Sequence, residues 1–252
     1  MRLETEPIAY RDGDARLNGL LAIDADRAGT RPGVLVVHGG AGLDDHARGR
    51  ARRLAASGYV VFACDMYGEG VTGNRERIVR HIGELQSNRT ALVRRVQSAI
   101  EILSSRPEVD ARIAAVGFCF GGMVALEYAR SGTAIRGVVS VHGSLATTSP
   151  AEPSSIRARI LVCHGALDPH APMSQVTAFA EEMKHAGADY QVIVYGSAMH
   201  GFTHENATGQ QPGVRYHAQT DARSSVAIAE FLRELFEDRA DLPSGVPLSL
   251  LS

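Results

Sequence analysis

Hydrophobic positions in this chain gather into short unbroken runs, each followed by a polar or glycine-rich break. Val34–Val37, Tyr59–Ala63, Ile113–Val116, Gly137–Val141, Ile160–Cys163 and Gln191–Tyr195 have strand length and almost no inside–outside alternation. Such runs suit strands that are covered on both faces, as in a parallel sheet. Leu17–Ile23 alternates weakly and predicts an early antiparallel edge strand. Between the runs lie helical patterns. Ala47–Ser57 stops at Gly58, and Asn88–Ser105 carries the stripe Leu92, Val96, Ala99, Ile100, Leu103 before Pro107. Met173–Ala186 closes at Gly187, and a last helix runs over about Arg223–Phe236. Strands alternating with helices predict an α/β fold: one domain over residues 1–252, a mostly parallel central sheet and helices on both faces. Met66–Ser87 is polar, contains Gly68, Gly70 and Gly73, and reads as an excursion over the strand ends; residues 239–252, with Pro243, Gly245 and Pro247, read as an irregular tail.

Ligands of such sheets bind beyond the carboxyl ends of the strands, so chemistry is expected immediately after the apolar runs. His38-Gly39-Gly40, Asp65, Cys119, His142, His164 through Asp168, and His200 all stand there. The most specific of these stretches is Arg112–Ala129, RIAAVGFCFGGMVALEYA. It passes from a buried strand through Gly117-Phe118-Cys119-Phe120-Gly121-Gly122 into a helical pattern, which is the layout of a nucleophile elbow with Cys in place of the more usual Ser. A nucleophile on so tight a turn needs neighbours without a Cβ, and the helix N-terminus behind it favours a thiolate.

A thiol nucleophile needs a base, and the base needs an orienting acid. In elbow proteins these follow in the order nucleophile, acid, histidine. Asp168, on the loop after Ile160–Cys163, and His200, on the glycine-flanked loop after Gln191–Tyr195, satisfy that order. Asp65 is a rival acid but precedes the nucleophile. His142 and His164 could edge a pocket or simply be hydrogen-bonded near the core, and His38 is expected to brace the glycine turn after it. The oxyanion hole is expected from the backbone N–H groups of Phe120 and Gly40.

Gly68-Glu69-Gly70-Val71-Thr72-Gly73 matches G-x-G-x-x-G, yet it does not start on the strand and no clear helix pattern follows, which argues against a dinucleotide site. His200 and His204 stand four apart without the glutamate of a metalloprotease motif, so no metal is expected.

The chain has 252 residues, 44% hydrophobic and 21% charged, with a formal net charge of −2. These values suit a soluble globular protein and give no reason to expect a nucleic-acid or anionic-membrane partner. Three cysteines, Cys64, Cys119 and Cys163, do not make a disulfide framework. The N-terminal MRLETEPIAYRDGD lacks the apolar core of a leader, and no run approaches a membrane span, so a reducing, cytoplasmic setting is expected. The expected oligomeric state is a monomer or small homo-oligomer.

The segments Val34–Leu43, Gly58–Gly70, Ile113–Gly122, Ile160–Pro172 and Tyr195–Phe202 together resemble the dienelactone hydrolase family of α/β-hydrolases. The resemblance implies the α/β-hydrolase fold, with Cys119 as nucleophile, Asp168 as acid and His200 as base. It also implies a small ester or lactone substrate and no cofactor. Many members of that family carry Glu where this chain has Gly39, and dienelactone-specific members carry Arg where it has His204; Arg75, Arg77 and Arg80 on the excursion are alternative sources of positive charge. Gly39, Tyr67, Met199, Phe202 and His204 are the expected substrate pocket, with Phe118, Phe120 and Met123 adding apolar lining. Two other readings are a thiol-dependent acyltransferase and a binding protein that keeps the fold without turnover.

Overall fold

The computed structural model describes residues 1–237; the expected tail at 239–252 lies outside them. Among these described residues eight strands form one sheet: β1 (Leu3–Asp12), β2 (Ala15–Asp24), β3 (Arg31–Val37), β4 (Val60–Cys64), β5 (Val109–Phe118), β6 (Gly137–Val141), β7 (Arg159–Gly165) and β8 (Tyr190–Tyr195). Their order is β1-β2-β4-β3-β5-β6-β7-β8. The β1–β2 and β2–β4 pairs are antiparallel and the other pairs parallel. The helices among the described residues are α1 (Asp45–Ala56), α2 (Arg75–Ser87), α3 (Arg89–Ser104), α4 (Phe120–Arg130), α5 (Met173–Ala186) and α6 (Ala218–Phe236).

The unbroken apolar runs are explained by burial on both faces. Along β3, Leu35 and Val37 join the core beneath α3, α4 and α5, while Val34 and Val36 join the core beneath α1 and α6. β4 and β5 split the same way, Phe62 and Ala115 to one side, Val61 and Val116 to the other. Period two therefore survives in the structure although both phases are apolar.

Two expectations change. Leu17–Ile23 is antiparallel, but it is not the edge. β1 lies outside it, and its sequence LETEPIAYRD is polar because most of the strand is exposed. Only Tyr10 and Asp12 of β1 are buried, Tyr10 exchanging hydrogen bonds with the backbone of Asp65. Pro7 is at home there, since an edge strand has one row of N–H groups without partners. The excursion 66–87 also contains a helix. Asn74 caps α2 by accepting from Arg77 N–H, and Asn88 then caps α3 through Ala91 N–H. A helix thus does follow the G-x-G-x-x-G run, although Asp65, Met66 and Tyr67 still separate that run from β4. Ile78, Ile82 and Leu85 are the apolar stripe of α2, too thin among charged neighbours to stand out.

Candidate active site

At the carboxyl edge of the sheet, β5 turns into α4 through Cys119, which adopts φ 53° and ψ −116°. Positive φ is strained for a residue with a Cβ, and the surroundings fix it. A Cβ on Gly117 would collide with the carbonyl of Gly121, and one on Gly121 with the carbonyl of Val37. A Cβ on Gly122 or on Gly143 would collide with the Ser140 hydroxyl. The glycines around the cysteine are therefore required by close approach of strand, turn and helix.

Cys119 Sγ lies 3.0 Å from His200 Nε2, and His200 Nδ1 lies 2.8 Å from Asp168 Oδ2. The other oxygen of Asp168 accepts from the backbone N–H groups of His170 and Ala171 at 2.8 and 3.1 Å. Asp168 is 3% exposed, and burial alone would favour its neutral acid. The hydrogen bond and charge of His200 and the two amides outweigh this and lower its pKa. Burial opposes charge on His200 as well, yet its bonds to Asp168 and Cys119 raise it to about 10. For Cys119 burial pushes the thiol up, while His200 and the N–H groups of Gly40 and Phe120 pull it down, with a net lowering. The two shifts together favour a thiolate–imidazolium pair over the neutral pair.

The turn bearing Gly40 is braced from below. His38 donates through Nδ1 to the Gly39 carbonyl at 2.7 Å and accepts from Met66 N–H through Nε2 at 3.0 Å. The Tyr67 hydroxyl donates to the Gly40 carbonyl at 3.3 Å. Asp65 accepts from the N–H groups of Tyr67, Gly68 and Asn18, which makes it the anchor of a turn and keeps it away from His200.

Behind this edge lies a group of histidines. His142 shares a hydrogen bond with the Thr203 hydroxyl at 2.8 Å, and His46 contacts the same hydroxyl at 3.0 Å. His204 stacks on His46 with ring centroids 3.7 Å apart. Burial, then neighbouring positive groups, drives His46 down to about 2 and lowers His142; burial, opposed in part by Asp44, lowers His204. His200 is thus raised where these three neighbouring rings are lowered. Arg50 anchors the cluster: its guanidinium is paired with Asp221 at 2.8 Å and donates to the Thr203 carbonyl at 2.8 Å.

Cys119 and His200 open into a cavity of about 470 Å³, whose walls include Gly40, Ala41, His204, Asn206, Gln211 and Val214. Of the expected pocket residues, His204 lines this cavity and Gly39 abuts it, a Cβ there standing 3.5 Å from both Cys119 Cβ and His204 Nε2. The other three stand elsewhere. Tyr67 is a buried brace, Phe202 is fully buried against His142 and Tyr195, and Met199 faces a separate cavity beside Leu167 and Tyr216. Phe118 packs in the core against His46, and Met123 borders another cavity beside Leu92 and Glu127. The loop 206–214 gives no signal in the sequence, because a polar, glycine-containing stretch has no periodicity. It is tied to His200 by His200 N–H to Gly213 O and Arg215 N–H to His200 O, both 3.0 Å.

The parallel sheet, the elbow and the Cys–His–Asp arrangement at its edge define an α/β-hydrolase. The model of the dienelactone hydrolase family matches residues 17–236, and the chain belongs to that family. It is 38% identical to the solved structure of m3DLH, with a TM-score of 0.88 over 93% of this chain and 99% of that one. It is 36% identical, with a TM-score of 0.87 over 94% and 100%, to a dienelactone hydrolase-like promiscuous phosphotriesterase, P91, from metagenomic libraries. A putative carboxymethylenebutenolidase of Escherichia coli O157:H7 is 27% identical over 192 residues, 69% of this chain and 68% of the relative. The protein is an ester or lactone hydrolase acting on small molecules. Among the described residues no helix is long and apolar enough to cross a membrane.

Proposed function

We propose that the protein hydrolyses carboxylic esters or lactones through a thioester on Cys119, with His200 as acid–base and Asp168 as its orienting group. The observation that carries this reading is the continuous relay from Cys119 Sγ through His200 to Asp168, at 3.0 and 2.8 Å. The thiolate attacks the carbonyl carbon, the C–S bond forms, and the π electron pair moves to oxygen. The N–H groups of Gly40 and Phe120, which already stabilise the thiolate, receive that oxyanion. Collapse restores the carbonyl and breaks the C–O bond, and the departing alkoxide takes the proton of His200 Nε2. Neutral His200 then removes a proton from water as the water oxygen attacks the thioester. The second collapse breaks C–S, leaving the acid product and the thiolate–imidazolium pair with which the cycle began.

A thiolate is a better leaving group than an amine, so an adduct with a peptide would revert, whereas an ester or lactone goes forward. Water as acceptor separates this reading from acyl transfer, and turnover separates it from a binding role. The test is rapid quenching with an activated aryl ester followed by peptide mass analysis. The expected result is an acyl adduct on Cys119 that decays at the turnover rate and yields free acid when alcohol is added. Turnover with no adduct, or full turnover in Cys119→Ala, would remove the thiolate mechanism.

Phosphotriester hydrolysis at the same thiolate is a second reading, favoured by the 36% identity to a phosphotriesterase. The same two amides would receive the phosphoryl oxygen, and an aryl phosphotriester alongside the carboxylic esters tests it.

A further inference from the structure

The cavity in front of Cys119 has an unusual charge balance for a site beside so many basic residues. Its walls at His204, Asn206, Thr208, Gln210 and Gln211 are polar but carry no arginine, lysine, aspartate or glutamate. Arg215 lies against Gly209 but lines the separate cavity beside Met199, not this one, and three further arginines are committed elsewhere. Arg50, 7% exposed, is held behind the histidines by Asp221 and the Thr203 carbonyl. Arg53 pairs with Glu205 at 3.1 Å, and Arg77 donates to the Gly70 carbonyl at 3.0 Å. His204, stacked on His46 and next to Arg50, stays a neutral ring. What faces a substrate electrically is therefore the triad itself: a thiolate, an imidazolium and the buried carboxylate of Asp168, which sum to a net negative charge.

We propose that this cavity selects uncharged substrates that present a hydrogen-bonding group to the amides of Asn206, Gln210 and Gln211, and discriminates against those bearing a carboxylate. The proposal rests on the thiolate mechanism above and adds the substrate class. Side-chain amides donate and accept, so they satisfy a neutral carbonyl, amide or hydroxyl. An anion brought to the same place finds no cation among the lining residues and a like charge at its reacting end. The loop that carries these amides is bonded to His200 through Gly213 and Arg215, so its position is fixed together with the base.

The experiment compares two p-nitrophenyl esters of equal length, one of adipamic acid ending in a primary amide and one of adipic acid ending in a carboxylate. The amide ester is expected to show a kcat/KM at least about tenfold higher, with the difference mainly in KM, as like-charge opposition predicts. Raising NaCl from about 0.05 to about 0.5 M should narrow the gap by screening. Gln211→Arg, on an exposed part of the loop, should narrow it as well by supplying a cation. A carboxylate ester turned over as well as its amide partner, or a gap unmoved by Gln211→Arg, would overturn the substrate class and leave the thiolate mechanism standing. If neither ester acylates Cys119, the thiolate mechanism falls and the substrate class with it.

Discussion

His200 Nε2 stands 3.0 Å from Cys119 Sγ while the opposite ring nitrogen is engaged by Asp168, so the imidazole bridges the sulfur and the carboxylate. Folding raises the pKa of His200 to about 10 and lowers that of Cys119. The thiol therefore ionises below the ordinary thiol range, and the ion pair persists from that lowered value up to the point where His200 loses its proton. Iodoacetamide alkylation of Cys119 should accordingly proceed at neutral pH, ahead of Cys64 and Cys163, whose thiols burial pushes up. The measurement is the pH dependence of labelling by peptide mapping. A single step near the unperturbed value of about 8.5 would show that His200 does not activate the sulfur at rest.

Cys119→Ala is expected to fold and to lose esterase activity, with Cys119→Ser retaining weak activity at most. Cys119→Gly is expected to be about 1 kcal/mol more stable than Cys119→Ala. Removing the Cβ at φ 53° relieves strain of order 1–3 kcal/mol, against about 1 kcal/mol of added chain entropy in the unfolded state. Denaturant midpoints of the two variants decide it, and equal midpoints would mean that the elbow stores little strain.

Asp168→Asn should cost about 10⁴-fold in kcat, because the amide cannot hold the imidazolium. Asp65→Asn should instead lower stability by about 1 kcal/mol through weakened bonds to the Tyr67, Gly68 and Asn18 amides, with kcat nearly unchanged. Equal losses of kcat in the two variants would reassign the acid.

Gly39→Glu should be accommodated, since its Cβ would meet Cys119, His204 and Phe118 at ordinary contact distance. A carboxylate there faces the thiolate and raises its pKa, so alkylation near pH 7 should slow by about tenfold. The wild-type protein, without that restraint, is expected to lose activity in low peroxide, to recover with added thiol at first, and to be protected by a competing ester. Unchanged alkylation in Gly39→Glu would show that the residue at this position does not govern the resting thiol.

Arg50→Met should destabilise the protein by about 3–5 kcal/mol, because it strands a buried Asp221. Arg50→Met combined with Asp221→Leu should recover much of that loss. Thermal unfolding of both variants measures it, and a double variant no better than the single one would argue against the pair as the source.

Cys119, Asp168 and His200 were legible in the chain because each is a local event. A strand, a glycine-rich turn and a helix are written within some twenty consecutive residues around Cys119, and Asp168 and His200 each stand on the short loop that follows an apolar run. The double-faced sheet was legible for a similar reason, since burial on both sides leaves an unbroken apolar run. Other features needed the third dimension. β1 is a strand because β2 offers it an edge, and its polar sequence records only that its faces are wet. Phe202 and His204 stand two apart after His200, yet the turn, with Gly201 at φ 65°, sends one ring into the core and leaves the other beside Cys119. No sequence period specifies that division. The Arg50–Asp221 pair and the Thr203 carbonyl meet across more than 150 residues of chain, and the cavity wall at 206–214 is polar loop throughout. Local pattern decides which residues can do chemistry at a strand end; the packing of distant segments decides which substrate they meet.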